Sequence, residues 1–327
     1  MAIDMHSHYY GGLVDSLRQR RERPFVTTDE TGQDVLHAMT ASTVIAPGYV
    51  DLQERLKWMD SVGIEIQLLT FPGALGVDVM PLCEVEGAIR DFNDHLAAIC
   101  TASHGRFVGL AGLPLDDIET SVREIKRIRR DLSLAGAILP GNFFLSTADA
   151  ERLRPIFLAA DEVGALLMVH PGLMPGENPP QPYNDNTIIR ASALNLQASI
   201  SHMALTILMG TLLDDCPNVT VQIVNLAGTL PFVIERIRAV ADSRELVFPE
   251  ARLRRMVYDT ASLGPSAVET AVRVLGADRL MLGTDYPIFK PKDPLESISY
   301  NALKAMDRLL IQQGTAKSIL LRLGLTL

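Results

Sequence analysis

Short apolar runs recur along the chain, and most are followed by stretches in which apolar residues return every three or four positions. Runs of the first kind cover residues 2–5, 64–70, 107–113, 135–139, 165–169, 219–224, 256–259 and 279–282. Their length and continuity predict strands buried on both faces. Between them, Leu52, Leu56 and Met59 fall at helical spacing, as do Ile89, Phe92, Leu96 and Ile99, and then Ile118, Val122, Ile125 and Ile128. Gly63 is placed to stop the first of these helices, and Pro155 to kink or restart the one over 148–162. Helices are also expected over 187–214, 230–240, 268–275 and most of the chain after 287. Eight strands alternating with helices predict an α/β fold, a (β/α)8 barrel of the TIM type. An open doubly wound sheet would want a glycine-rich turn after the first strand, and His6-Ser7-His8-Tyr9-Tyr10 is not one.

Residues 9–50 interrupt the pattern. This stretch is polar, rich in Thr, Gly and charge, and reads as a long loop inserted after the first strand, over the mouth of the barrel. The whole chain, 1–327, is expected to form one barrel domain; 327 residues suit that architecture.

Composition narrows the function. A net charge of -9 argues against nucleic acid as a partner, since phosphate binding wants a basic face. A small carboxylate remains open to a few local arginines. No apolar run reaches the length of a membrane span, and no leader-like segment opens the chain, so a soluble cytoplasmic protein is expected. Cys83, Cys100 and Cys216 are odd in number and scattered; each is expected to be a buried apolar residue in a reducing compartment.

The chemistry sits at the predicted strand ends. His6 and His8, two apart, project to the same side of a strand. His170 closes the fifth strand and Asp285 the eighth, in Gly283-Thr284-Asp285-Tyr286-Pro287. A barrel gathers such ends on one face. Three imidazoles and a carboxylate there make a site for one divalent metal, zinc first, with manganese or magnesium as alternatives. The remaining histidines, His37, His95, His104 and His202, read as structural, with His202 the outside candidate for substrate contact.

These motifs, His-x-His, His-Pro and Gly-Thr-Asp-Tyr-Pro, resemble the metal-dependent amidohydrolase superfamily, in the amidohydrolase-2 branch typified by aminocarboxymuconate semialdehyde decarboxylase. The resemblance implies that His6, His8, His170 and Asp285 are the metal ligands. It also implies that Arg55 and Arg236 bind substrate carboxylate, with Arg236 reaching into a neighbouring subunit, so that the protein is a homodimer or higher oligomer. One position departs. The branch carries a histidine after strand six as its acid/base, where this chain has Asn225, in Asn225-Leu226-Ala227-Gly228. Asparagine can orient a ligand by hydrogen bonds but carries no proton at neutral pH.

The implied activity is non-oxidative decarboxylation of an aromatic or unsaturated carboxylic acid, a carbon–carbon lyase reaction with Asp285 as proton donor and Asn225 as orienting group. The alternatives are a hydrolase or hydratase of a related small carboxylate, in which Asp285 takes a proton from water, and a ligand-binding homologue without turnover.

Overall fold

In the computed structural model, residues 2–39, 41–179, 189–261, 263–299 and 302–325 are described. All eight expected strands are present: β1 (Ile3–His8), β5 (Ile66–Thr70), β6 (Phe107–Ala111), β7 (Gly136–Pro140), β8 (Leu166–His170), β9 (Thr220–Ile223), β10 (Met256–Asp259) and β11 (Leu280–Met281). They form one parallel sheet in chain order, β1-β5-β6-β7-β8-β9-β10-β11. The sheet closes on itself. Met5 N donates to Leu282 O at 2.8 Å, Asp285 N to His6 O at 2.8 Å and His8 N to Tyr286 O at 2.7 Å, with a parallel bridge between Ser7 and Tyr286. The result is an α/β barrel of the (β/α)8 type.

Nearly every strand residue is buried because both faces are covered. The outer layer is amphipathic. In the helix Ile118–Arg130, Ile125 and Ile128 are buried, while Lys126 and Arg130 pair outward with Glu162. Asp117 caps that helix by accepting from Thr120 N. Gly63 ends the helix Leu52–Val62 in the left-handed conformation, φ +74°. Pro155 restarts the chain as a second helix, Arg154–Val163, after Thr147–Arg152.

Three expectations need correction. The insertion is not a plain loop: it carries a short helix (Val14–Arg18) and an antiparallel sheet of β2 (Phe25–Thr28), β3 (Asp34–His37) and β4 (Ser42–Val44). Its strands are short and only Val26 and Leu36 are buried in them, so the apolar signal was too thin to read. After residue 287 the helices begin only at Glu296–Ser299, because Pro291, Pro294 and the turn around Asp293 break the stretch before it. Cys83 is exposed rather than buried, whereas Cys216 is buried and Cys100 lies between. The expected start of the helix at 187 and much of the loop to 186 fall outside the described residues; the described part runs Arg190–Asn195 and Leu196–Met209. No helix among the described residues is long and apolar enough to cross a membrane.

Candidate metal centre

At the C-terminal end of the barrel, β1 delivers His6 and His8, and β8 delivers His170. The three rings meet edge to face, with centroids 4.9–5.3 Å apart. Their ligand nitrogens lie within 4.8 Å of one another. Asp285, in the turn after β11, brings its Oδ1 to 3.1 Å from His8 Nε2 and 3.7 Å from His6 Nε2. The turn holds it with φ +57°, an uncommon conformation for a residue with a side chain.

Each histidine is oriented by its Nδ1. His6 Nδ1 lies 3.1 Å from Asp259 Oδ1. His8 Nδ1 lies 3.1 Å from Thr70 Oγ1, and the Thr70 hydroxyl donates its own proton to Ser7 O at 2.8 Å, so it accepts from the imidazole. His170 Nδ1 lies 3.0 Å from the carbonyl of Pro171. With all three Nδ1 atoms donating to acceptors, each Nε2 keeps its lone pair free. His6 Nε2 is sealed and has no hydrogen-bond partner. A buried polar atom without a partner is costly, and a cation between the three nitrogens and Asp285 would satisfy it.

The charges agree. Burial alone would lower the His6 pKa, but the carboxylates of Asp259, Asp285 and Asp4 raise it to about 9. Burial lowers His8 despite the Asp285 contact, and burial followed by the charges of His8 and His6 drives His170 well below the ordinary value. Burial would raise Asp285, yet the close approach of His8 and the surrounding imidazoles leave it lowered, so it is ionised. The carboxylates therefore favour a positive charge in the cluster, carried by a proton on His6 or by a divalent ion in its place, and a donor set of imidazole nitrogens with one carboxylate suits such an ion.

Beneath the histidines lies a polar layer that sequence reasoning missed. Asp259 is wholly buried and its Oδ1 also accepts from Asn225 N and Ala261 N at 3.1 Å each. Gln222 Nε2 donates to Asp259 Oδ2 at 2.8 Å and to Met5 O at 2.9 Å. Asp4 accepts from Gln67 Nε2 at 2.7 Å and from Thr284 Oγ1 at 2.6 Å. The available signal was a polar residue set inside each of four otherwise apolar strands, which a barrel interior tolerates only when it is hydrogen-bonded.

Asn225 is buried directly after β9. It opens a run of three left-handed residues, with φ of +52°, +54° and +61° at Asn225, Leu226 and Ala227. Such a run costs backbone energy and recurs at functional sites. Its side-chain amide makes no hydrogen bond among the described residues.

The two arginines part company. Arg55 is 0% exposed. Its Nη1 donates to Ser7 Oγ at 3.1 Å and Gln67 Oε1 at 2.8 Å, and its Nη2 to His8 O and to Gly48 O at 2.7 Å. Its Nε is sealed, and the guanidinium stands 4.7 Å from the centre of the Tyr286 ring. The fork is thus taken up by the protein, and a substrate carboxylate could reach it only by displacing those partners. Arg236 is exposed on the helix Leu230–Ser243 and has no ion pair among the described residues. His202 is also exposed, and among the described residues it is not grouped with the three histidines. His95 hydrogen-bonds Tyr9 Oη at 3.0 Å, and His37 bonds Thr27 and Ser42. Both play structural parts.

The chain is also similar to known proteins. The chain is 26% identical over 245 residues to 2-amino-3-carboxymuconate-6-semialdehyde decarboxylase of Dictyostelium discoideum, covering 72% of this chain and 67% of that one. It is 26% identical over 297 residues to gamma-resorcylate decarboxylase of Rhodococcus jostii, covering 83% and 88%. The fold matches the crystal structure of 5-carboxyvanillate decarboxylase from Novosphingobium aromaticivorans, complexed with manganese and 4-hydroxy-3-methoxy-5-nitrobenzoic acid. That match has a TM-score of 0.75 at 22% identity and covers 98% of this chain and 95% of that one. The sequence profile described as Amidohydrolase matches residues 70–310, well over half of the chain, and the protein belongs to that amidohydrolase family.

Proposed function

We propose that this protein is a metal-dependent, non-oxidative decarboxylase acting on an aromatic or unsaturated carboxylic acid. The observation that carries this reading is the convergence of three free Nε2 atoms on Asp285 at the barrel mouth. Its relatives' names point the same way. His6, His8, His170 and Asp285 would hold the ion. Zinc is the first choice on the donor set; the manganese of the 5-carboxyvanillate enzyme makes it the alternative.

When bound, the ion supplies a fixed positive charge that draws substrate oxygens to the histidines and stabilises the anion formed there. The protein's own residues then manage the proton. Asp285 is ionised before substrate arrives. It takes the proton that a substrate hydroxyl gives up on binding and returns it to the ring carbon bearing the carboxylate. A carbon–hydrogen bond forms, the carbon–carbon bond breaks, and its electron pair returns to the ring as carbon dioxide leaves. Asn225 orients the substrate and moves no proton. A hydrolase would use the same Asp285 to activate water, so Asn225 does not separate the two readings; the decarboxylase names of the relatives favour the lyase.

Arg55 fits a positioning part, holding the end of β1. Arg236 supports assembly: it shares its helix with Phe232, 85% exposed, and Val240, 48% exposed. An exposed apolar face flanking a free cation suits a subunit interface that brings Arg236 to a neighbour's carboxylate substrate, and we read the active form as a homodimer or larger. The insertion 9–50 is read as part of the same single domain, closing one side of the mouth. Three free cysteines suit a reducing cytoplasm.

The test is release of carbon dioxide from 2,6-dihydroxybenzoate, 5-carboxyvanillate and 6-methylsalicylate by zinc- and manganese-loaded protein. Turnover of one of them, abolished by Asp285→Asn, is expected. Hydrolysis or hydration without carbon dioxide release would overturn the reading, and tight binding of acids without turnover would replace it with a binding protein.

A further inference from the structure

The return leg of the insertion, residues 46–50, is pinned against the metal end of the barrel. Arg55 Nη2 donates at once to His8 O and Gly48 O, so one guanidinium ties that leg to the end of β1. Gly48 also presses on the turn after β11: a Cβ there would stand 2.6 Å from Tyr286 Oη and 3.0 Å from Pro287 Cβ. Only glycine admits this approach. The next residue, Tyr49, is thereby set beside the Asp285-Tyr286-Pro287 turn.

Tyr10 meets it there. Tyr9 N still donates to Thr70 O at 3.2 Å, so the extended path of β1 continues past His8, and Tyr10 follows His6 and His8 in the same alternation. Tyr10 N donates to Tyr49 O at 2.8 Å, and the two rings stack with centroids 4.4 Å apart at 29°. Both residues are 6% exposed. Neither phenol oxygen has a hydrogen-bond partner among the described residues, and neither is sealed, unlike that of Tyr286. Two buried, stacked tyrosines thus keep their hydroxyls unpaired and open at the barrel end that carries the histidine cluster. Unpaired polar groups in such a place are stabilised by a ligand that accepts from them.

We propose that Tyr10 and Tyr49 form an orienting pair whose hydroxyls donate hydrogen bonds to the carboxylate of an aromatic acid, setting its angle to the histidines. This rests on the decarboxylase reading for the substrate class. A phenol is an O–H donor in its ordinary neutral form.

The experiment is calorimetric binding of 2,6-dihydroxybenzoate to full-length manganese-loaded protein, for wild type, Tyr10→Phe and Tyr49→Phe. The phenylalanine variants keep the rings. Each is expected to weaken binding roughly 10- to 100-fold, the scale of a hydrogen bond to a charged acceptor, with manganese affinity and Tm unchanged. Where turnover is measurable, KM should rise with kcat falling less. Unchanged binding in both variants would overturn the pair, as would a wild type that binds no 2,6-dihydroxybenzoate, or a loss of affinity matched by a loss of manganese or of Tm. Weakened binding in the variants, with no carbon dioxide released by wild type, would uphold the pair and overturn the decarboxylase reading alone.

Discussion

Asp259 accepts from His6 across 3.1 Å, and in doing so fixes which nitrogen of His6 faces the cluster. The same Oδ1 takes the backbone N–H of Asn225, so one buried carboxylate aligns both a metal-facing imidazole and the residue that departs from the family's pattern. Asp259→Asn keeps the shape but can offer an N–H where an acceptor is needed, which would turn the His6 lone pair toward Asp259. Metal affinity should fall by about 10–100-fold, the range seen for partners of this kind. A chelator competition with zinc measures it. Unaltered affinity would show that His6 is not held through Asp259.

Arg55→Lys separates two readings of a buried arginine. Lysine cannot reproduce a fork that serves His8 O, Gly48 O, Ser7 and Gln67 together. If Arg55 holds the site in place, the substitution destabilises the fold by roughly 3–5 kcal/mol, the scale for breaking a buried charged network. Metal affinity should fall with it. A variant with unchanged Tm and metal content but a raised KM would restore Arg55 to substrate binding. Thermal unfolding beside metal analysis decides between them.

Asp78 offers a prediction about pH. It is 1% exposed, and both its carboxylate oxygens are sealed without partners. Burial raises its pKa to about 8 from the ordinary 3.8. Between those values the folded chain holds a proton that the unfolded chain has released, so this group makes stability fall as pH rises through that window. Its contribution is fully present below pH 3.8 and lost by about pH 8. Asp78→Asn should therefore gain in Tm over wild type progressively from pH 4 to 8, with a constant difference above. A gap that does not vary with pH would show that Asp78 is ionised in the folded protein.

The eight strands and the four clustered residues were legible because barrel strands are continuous apolar runs and their C-terminal ends carry the chemistry. His6, His8, His170 and Asp285 needed no more than that. What supports them was harder to see. Asp259 and Gln222 look like ordinary polar residues until closure of the barrel brings β9, β10 and β1 together. Tyr49 lies 39 positions from Tyr10 in the chain, and only the docking of Gly48 makes them neighbours. Arg55 reads from the sequence as a substrate ligand, and its burial depends on acceptors from three other segments. Local pattern carries no information about such long-range partners.

Gly283→Ala tests how tightly the barrel's last strand backs the site. A Cβ at this position would stand 2.9 Å from His6 Cβ and 3.0 Å from both Asp259 Cβ and Oδ1. The neighbours are short, rigid and fully buried, so they cannot swing aside. The expected result is displacement of His6, with metal affinity lost more steeply than Tm. A variant that binds metal as wild type does would mean that β11 shifts instead.

Asn225 carries the sharpest question about mechanism. Its backbone N–H belongs to Asp259, and its left-handed φ of +52° is one that asparagine tolerates better than most residues. Only the side-chain amide is therefore free to serve a ligand. Asn225→Asp preserves the size and the backbone preference while replacing two donors with a negative charge, so it should repel a carboxylate and raise KM. Asn225→Ala removes the amide and adds strain at a left-handed position. Neither substitution touches a metal-facing nitrogen, so one metal per chain should be retained in both. Turnover should fall in each, but by less than in Asp285→Asn, where loss of the proton carrier is expected to cost on the order of 10²–10⁴-fold. Asn225→His gives the decisive contrast. If Asp285 alone moves the proton, a histidine here adds nothing to decarboxylation, and the pH profile of kcat keeps its wild-type shape. If instead the chain lacks a proton carrier it needs, Asn225→His raises kcat and brings a new ionisation near neutral pH into the profile.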